Sequence, residues 1–130
     1  MKVSDRLEPG KRYSRRELAA MFDFDAPQLY HGMFRPEGYS SVLLFVTERT
    51  NPGAREHRNL LRGDELDMEG QRGGRYDTLI ADHVRLGGEL LVFYRRESDA
   101  ATGRFTYEGP FAYRSRETSG PARFRLQRQR

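Results

Sequence analysis

The sequence predicts a mainly β, α+β domain: a curved mixed sheet or partly open β-barrel of about five or six strands with two short helices. Three observations predict it. Two apolar runs, 39–47 and 89–96, are rich in Val, Leu, Phe and Tyr, as buried strands are. Near the C-terminus, Phe124 and Leu126 alternate with Arg123, Arg125 and Gln127, the pattern of a strand with one apolar and one basic face. Apolar residues at helical spacing occur in two short stretches, and no internal repeat or low-complexity segment is present.

The first helix covers about 14–22. Ser14-Arg15-Arg16-Glu17 has capping-box spacing, and Leu18, Met21 and Phe22 follow at i, i+3, i+4. Residues 25–38 hold Pro27, Gly32, Pro36 and Gly38 and read as an irregular loop, which also carries Tyr30, His31, Phe34 and Arg35. The run 39–47 reads as a buried central strand. Residues 48–63 are polar, with Arg49, Arg55, Arg58 and Arg62 around Asn51-Pro52-Gly53, and read as an exposed basic loop. A short strand at 65–69 and a glycine turn at 71–75 follow. Apolar positions at 79, 80, 84 and 86 suggest the second helix, 76–86, ended by Gly87-Gly88. The strand 89–96, a hairpin-type loop at 98–103, and strands 104–113 and 122–127 complete the chain.

The 130 residues make a single domain, 1–130, whether a whole protein or a domain cut from a longer one. Cys is absent, which excludes disulfides and thiolate metal sites and fits a reducing cytoplasm. No apolar run approaches the ~20 residues that span a bilayer, and Met1-Lys2-Val3-Ser4-Asp5-Arg6 lacks a signal peptide's apolar core. A cytoplasmic chain with no membrane partner is expected.

Charge is more informative. The formal net charge is +4, and Lys2 and Lys11 are the only lysines among 23 cations. Arg pairs bidentately with phosphate and guanine and stacks on bases, so a polyanionic partner is expected. A GC-rich genome would also raise Arg over Lys, but it explains the net charge less well.

Catalytic templates are missing. There is no His-Glu-x-x-His, no Walker loop and no Gly-x-Ser-x-Gly elbow. His31, His57 and His83 lack ligand spacing. Asp64, Glu65, Asp67 and Glu69 are close enough to hold Mg²⁺, though a solvated strand face explains them more simply. The expectation is a binding domain with no catalytic residue, no metal and no cofactor. Aromatic residues in glycine-bearing loops beside Arg and amide side chains suit base recognition: rings stack, polar groups read the edge and Arg holds the backbone. The same rings can instead plug the core.

At this point the residues resemble a family. Glu37-Gly38-Tyr39-Ser40-Ser41-Val42-Leu43, then Gly63-Asp64-Glu65-Leu66-Asp67-Met68-Glu69-Gly70-Gln71-Arg72-Gly73-Gly74-Arg75, is similar to the SRA domain, a member of the PUA-like group. The resemblance implies a PUA/SRA-like sheet that binds 5-methylcytosine in DNA. Bacterial SRA domains are fused to HNH nucleases in modification-dependent restriction. Met68-Glu69-Gly70-Gln71, followed by Leu91-Val92-Phe93-Tyr94-Arg95-Arg96, Phe105-Thr106-Tyr107-Glu108-Gly109-Pro110 and Gly120-Pro121, resembles an uncharacterised domain that follows DEAD/DEAH-type helicases and occurs in HNH restriction proteins.

The family cage does not carry over. SRA domains that flip a methylated base sandwich it between two tyrosines and hold its edge with an Asp. The tyrosine places fall near Thr47 and at Met68, and the Asp place near Thr50 or Asn51. The expected modified-base pocket therefore draws on Tyr30, His31, Phe34, Tyr39, Ser40, Thr47, Asn51, Met68 and Gln71, with Arg35, Arg49, Arg55, Arg58, Arg62, Arg72 and Arg75 on the DNA backbone. Alternatively the base is read without flipping, or the ligand differs. The function this implies is a double-stranded DNA reader, most simply of 5-methylcytosine, working with an HNH nuclease or helicase in restriction or defence. Rival readings are an RNA-binding PUA-like module, a nonspecific basic domain, a small enzyme using the Asp64–Glu69 carboxylates and a protein-interaction domain.

Overall fold

The structure is a computed structural model that describes residues 2–24, 33–36, 38–48, 59–69, 88–117 and 123–129. Among these, a 3-10 turn, Val3–Arg6, precedes β1 (Arg12–Ser14), helix α1 (Arg15–Phe22), β2 (Met33–Phe34), β3 (Ser41–Thr47), β4 (Leu60–Arg62), β5 (Glu65–Glu69) and β6 (Glu89–Arg95). A second 3-10 turn, Glu97–Thr102, then leads to β7 (Arg104–Glu117) and β8 (Arg123–Arg128). The second helix expected at 76–86, the glycine turn at 71–75 and the first part of the 25–38 loop lie outside the described residues.

The strands form one sheet in the order β2-β3-β6-β7-β8-β5-β4, with β1 also on β7. The path is open, with β2 and β4 at its two ends. β3 and β6 run parallel, from Ser41 opposite Glu89 to Thr47 opposite Arg95. The remaining pairs are antiparallel, so the sheet is mixed as expected.

Alternation divides the core in two. Leu43, Phe45, Leu91, Phe93, Phe105 and Tyr107 pack with Leu18 and Phe22 of α1. Val42, Leu44, Val46, Leu90, Val92 and Tyr94 turn to the opposite face, where they meet Leu66 and Met68 of β5 and Phe124 and Leu126 of β8. β3 and β6 are thus covered on both sides, which is why their sequences are unbroken apolar runs. Each such buried side chain contributes roughly 1.5–3 kcal/mol relative to exposure.

α1 starts as its capping box dictates. The Ser14 hydroxyl accepts from the Glu17 amide at 3.0 Å, and a Glu17 carboxylate oxygen accepts from the Ser14 amide at 3.3 Å. At the other end of the sheet the N-terminal 3-10 turn is fastened by a polar cluster. The hydroxyl of buried Ser41 accepts from the Val3 amide (3.1 Å) and donates to Glu89 Oε2 (2.6 Å), which also accepts from the Ser4 amide (3.2 Å).

Three sequence expectations are corrected. Met33–Phe34, within the predicted loop, forms β2 because both side chains are buried and pair with Leu44 and Leu43 of β3. Leu60–Arg62, within the predicted basic loop, forms β4, hairpinned to β5 through Gly63-Asp64. Gly63 has φ +58, which a two-residue hairpin turn needs at its first position. The last strand alternates as expected, with Phe124 and Leu126 buried and Arg125 exposed, 3.3 Å from Asp67 and 3.9 Å from Glu65. The sheet also has eight strands among the described residues, more than the sequence suggests.

β7 is long because it changes partner. Ser14, Tyr13 and Arg12 pair with Arg104, Phe105 and Thr106, while residues from Phe111 onward pair with β8. Between these halves a bulge sits near Glu108, and Gly109 has φ +97, a backbone conformation that suits glycine.

Candidate nucleic-acid interface

The parallel register of β3 and β6 brings two polar strand ends side by side. Thr47-Glu48 closes β3 and Tyr94-Arg95-Arg96 closes β6, and the Glu48 amide continues the ladder by donating to the Arg95 carbonyl at 2.8 Å. The β4–β5 hairpin comes up against this end. Asn59 Nδ2 donates to the Thr47 carbonyl at 3.3 Å, and the Leu61 amide donates to the Tyr94 hydroxyl, also at 3.3 Å. Together with the start of β7, these elements enclose a cleft of about 470 Å³, whose walls include Glu48, Leu61, Tyr94, Arg95, Arg12 and Arg104. That volume lies within the range of small-molecule sites.

Tyr94 is the hinge of the cleft. Its ring is buried in the second core cluster, while its hydroxyl donates to Glu48 Oε2 at 2.7 Å. Burial raises its pKa well above the ordinary phenol value, and the hydrogen bond to Glu48 raises it further. The phenol therefore stays protonated and fixes the Glu48 carboxylate at the cleft wall. Arg95 is held as firmly: Nε donates to Thr47 Oγ1 at 2.8 Å, Nη1 donates to the Ala100 carbonyl at 3.2 Å, and the guanidinium lies 4.3 Å from the Phe105 ring centre. Burial lowers the Arg95 pKa. A wall with a fixed carboxylate and fixed guanidinium groups can read donors and acceptors on a heterocycle or hold an anion.

The described pocket candidates do not converge. Thr47 stands at the cleft end of β3. Ser40 and Tyr39 stand at the other end, seven or more residues away, roughly 20 Å along an extended strand. Ser40 is exposed, and its carbonyl accepts from the Glu89 amide. Phe34 is buried in the first core cluster, edge-on to Phe24, and Tyr39 packs edge-on against Phe22 and Phe24. Met68 is buried opposite Phe124 in the second cluster. Phe34 and Met68 are core residues, and Tyr39 packs partly buried against the first cluster. Tyr39 and Ser40 thus stand at the opposite end of β3 from Thr47.

Of the expected backbone contacts, Arg35 and Arg62 are exposed, Arg62 beside the Gly63 that lines the cleft. Tyr30, His31, Asn51, Gln71, Arg49, Arg55, Arg58, Arg72 and Arg75 lie outside the described residues. Of the carboxylates raised as a metal site, Asp64 is 3.0 Å from Arg128, and Asp67 is 3.3 Å from Arg125. The described residues contain no cluster of three metal-ligating side chains. Glu48, Tyr94 and Arg95 line the cleft and are candidates that sequence reasoning misses. The signal for them is a polar end on each of two apolar runs.

No protein-family model matches the sequence, and no curated protein does. Solved structures do match. KRYPTONITE, in complex with mCHH DNA, an H3(1–15) peptide and SAH, aligns with a TM-score of 0.66 at 15% identity over 95% of this chain. This chain spans 32% of that one, about a third of its length. The SUVH5 SRA domain in complex with hemimethylated CG DNA aligns with a TM-score of 0.63 at 14% identity, covering 95% of this chain and 90% of that one. The same domain bound to fully hydroxymethylated CG DNA gives 0.61 at 14% identity, covering 99% and 93%. The fold is SRA-like, an open mixed sheet of the kind that the sequence resemblance implies.

Proposed function

We propose that this chain binds double-stranded DNA and recognises a modified base, 5-methylcytosine in the first instance. It would serve as the specificity module of a modification-dependent restriction or defence system in the cytoplasm. The observation that carries the reading is the likeness, over 95% of the chain, to an SRA domain solved with methylated DNA. A cleft of nucleotide scale at the β3–β6 end and the Arg-rich composition support it. Arginines neutralise phosphates, which positions the duplex and makes affinity fall with salt. The cleft receives the base, whose edge meets Glu48, the Tyr94 hydroxyl and Arg95. Leu61 offers the apolar contact for a methyl group. Burial of a methyl contributes only about 1 kcal/mol, so shape supplies the rest of the discrimination. Strand cleavage would belong to a partner such as an HNH nuclease or helicase protein, and binding rather than catalysis is the role of this chain.

The test is a titration at fixed ionic strength of one duplex in plain, 5-methylcytosine and 5-hydroxymethylcytosine forms, with a matched single-stranded RNA. A preference of about tenfold for a modified duplex, about 1.4 kcal/mol, supports the reader. Equal, salt-sensitive binding to all duplexes reduces it to a nonspecific basic domain. Preference for the RNA moves it to the RNA-binding PUA-like class.

A further inference from the structure

A second cleft adjoins the first. It holds about 440 Å³ between the first turn of α1 and the connection from β6 to β7, and its walls include Arg15, Arg16, Arg95 and Gly103. Arg95 lines both clefts. This surface is none of the basic loops to which the sequence assigned backbone contacts.

Three features make it an anion seat. First, two guanidinium groups are stacked on one buried ring: Arg95 lies 4.3 Å and Arg15 4.9 Å from the centre of Phe105, which is 1% exposed. The shared ring holds both guanidinium groups on half-buried mounts beside the cleft. Second, Arg16 and Arg95 make no ion pair among the described residues; Arg95 is oriented by neutral oxygens, Thr47 Oγ1 and the Ala100 carbonyl. The nearby carboxylate of Glu17 is engaged by Arg104 at 3.3 Å. Third, Gly103 leaves open space where a side chain would stand. The capping box already occupies amides of the first helical turn, so the charge of the seat comes from the arginines.

We propose that Arg15, Arg16 and Arg95 seat a phosphodiester group of the DNA strand whose base enters the neighbouring cleft. This rests on the DNA-binding reading above. Because Arg95 faces both clefts, it would couple the position of the backbone to that of the base, while Arg15 and Arg16 hold the phosphate without regard to sequence.

The test compares the wild-type chain with Arg16→Gln and with Arg15→Gln/Arg16→Gln. Arg114→Gln, an exposed position on β7, controls for loss of one positive charge. DNA affinity is measured against salt for plain and methylated duplexes, and thermal unfolding checks that each variant is folded. The expected result is a salt slope shallower by about 0.9, one phosphate contact, for the double variant, with the methylated-to-plain ratio unchanged. Arg16→Gln, an exposed substitution, should move the same way and keeps the test valid if loss of Arg15 from Phe105 impairs folding. A slope and affinity no different from Arg114→Gln overturn the proposal. A second arm follows the Arg side-chain N–H signals by NMR during titration with inorganic phosphate. Shifts at Arg15 and Arg95 support an anion seat even if no duplex binds, which would instead refute the DNA-binding reading. Phosphate shifts combined with an unchanged DNA slope refute the phosphodiester assignment and leave a small-anion site.

Discussion

Arg128 should be worth far more to stability than Arg125, three positions earlier on β8. The Arg128 guanidinium ties three elements together. It lies 3.0 Å from Asp64 in the β4–β5 turn and 3.1 Å from the Glu108 carboxylate at the β7 bulge, and it donates to the Glu108 carbonyl at 2.6 Å and the Gly63 carbonyl at 3.1 Å. It also lies 5.3 Å from the Phe111 ring centre. The side chains of Arg128 and Glu108 are 20% and 17% exposed, whereas Asp64 is 45% exposed. The Asp64 contact therefore contributes a few tenths of a kcal/mol. The Glu108 pair is shielded, and removing its cation strands a carboxylate and a carbonyl. Arg128→Met should lower the unfolding free energy by about 2–3 kcal/mol. Arg125 and its partners are roughly half exposed, so Arg125→Met should lose a few tenths at most. Urea unfolding followed by circular dichroism, with equal m-values, measures both. Equal losses in the two variants would refute the claim that shielding decides the value of these ion pairs.

Other tests address the cleft and the helix. Tyr94→Phe leaves the Leu61 amide without its acceptor and Glu48 without its donor, so it should lower stability by about 1–2 kcal/mol in urea and change the ratio of modified to plain DNA binding; an unchanged ratio would remove Tyr94 from the reading site. Tyr94 and Tyr107 both have pKa values raised from the usual 10, chiefly by burial. Above pH 10 the unfolded chain releases phenolic protons that the folded chain retains, so their contribution is complete below that pH and declines above it, by up to about 1.4 kcal/mol per pH unit per tyrosine. Unfolding free energies measured up to the alkaline limit should show the decline, and Tyr94→Phe should make it shallower. Ser14→Ala removes the cap of α1 and should lower stability by about 1 kcal/mol, with Ser14→Asp recovering most of it.

Much of the fold is legible because hydropathy and burial share a period. β3 and β6 are covered on both faces, so their runs are continuous; β8 is covered on one, so it alternates. The start of α1 is written in Ser14 and Glu17. Shorter strands escape for a physical reason. β1 and β2 have three and two residues, too few to establish a period, and they are held by backbone pairing, β1 to distant β7 and β2 to the next strand, β3. β4 is equally short, yet Gly63-Asp64 between Leu60–Arg62 and Glu65–Glu69 is a two-residue hairpin signal. The net basicity of the segment before it obscures that signal.

The site is less legible because it depends on register. Thr47 and Arg95 are 48 residues apart, and only the parallel pairing of β3 with β6 places the Arg95 guanidinium on the Thr47 hydroxyl. Composition also misleads about the aromatic residues. Phe34 and Tyr39 flank a glycine and look available for stacking, but the sheet needs them to close its face beside α1. Tyr94 sits inside an apolar run and looks like core, but its hydroxyl must find partners at the strand end. The consequence bears on mechanism. Among the described residues the cleft presents a phenol, the carboxylates of Glu48, Asp99 and Glu108, and guanidinium groups rather than two facing rings. A base entering it would be selected by hydrogen bonds and charge at its edge, with stacking secondary. Substitutions at Glu48 and Tyr94 should therefore alter which base is preferred more than how tightly DNA is held.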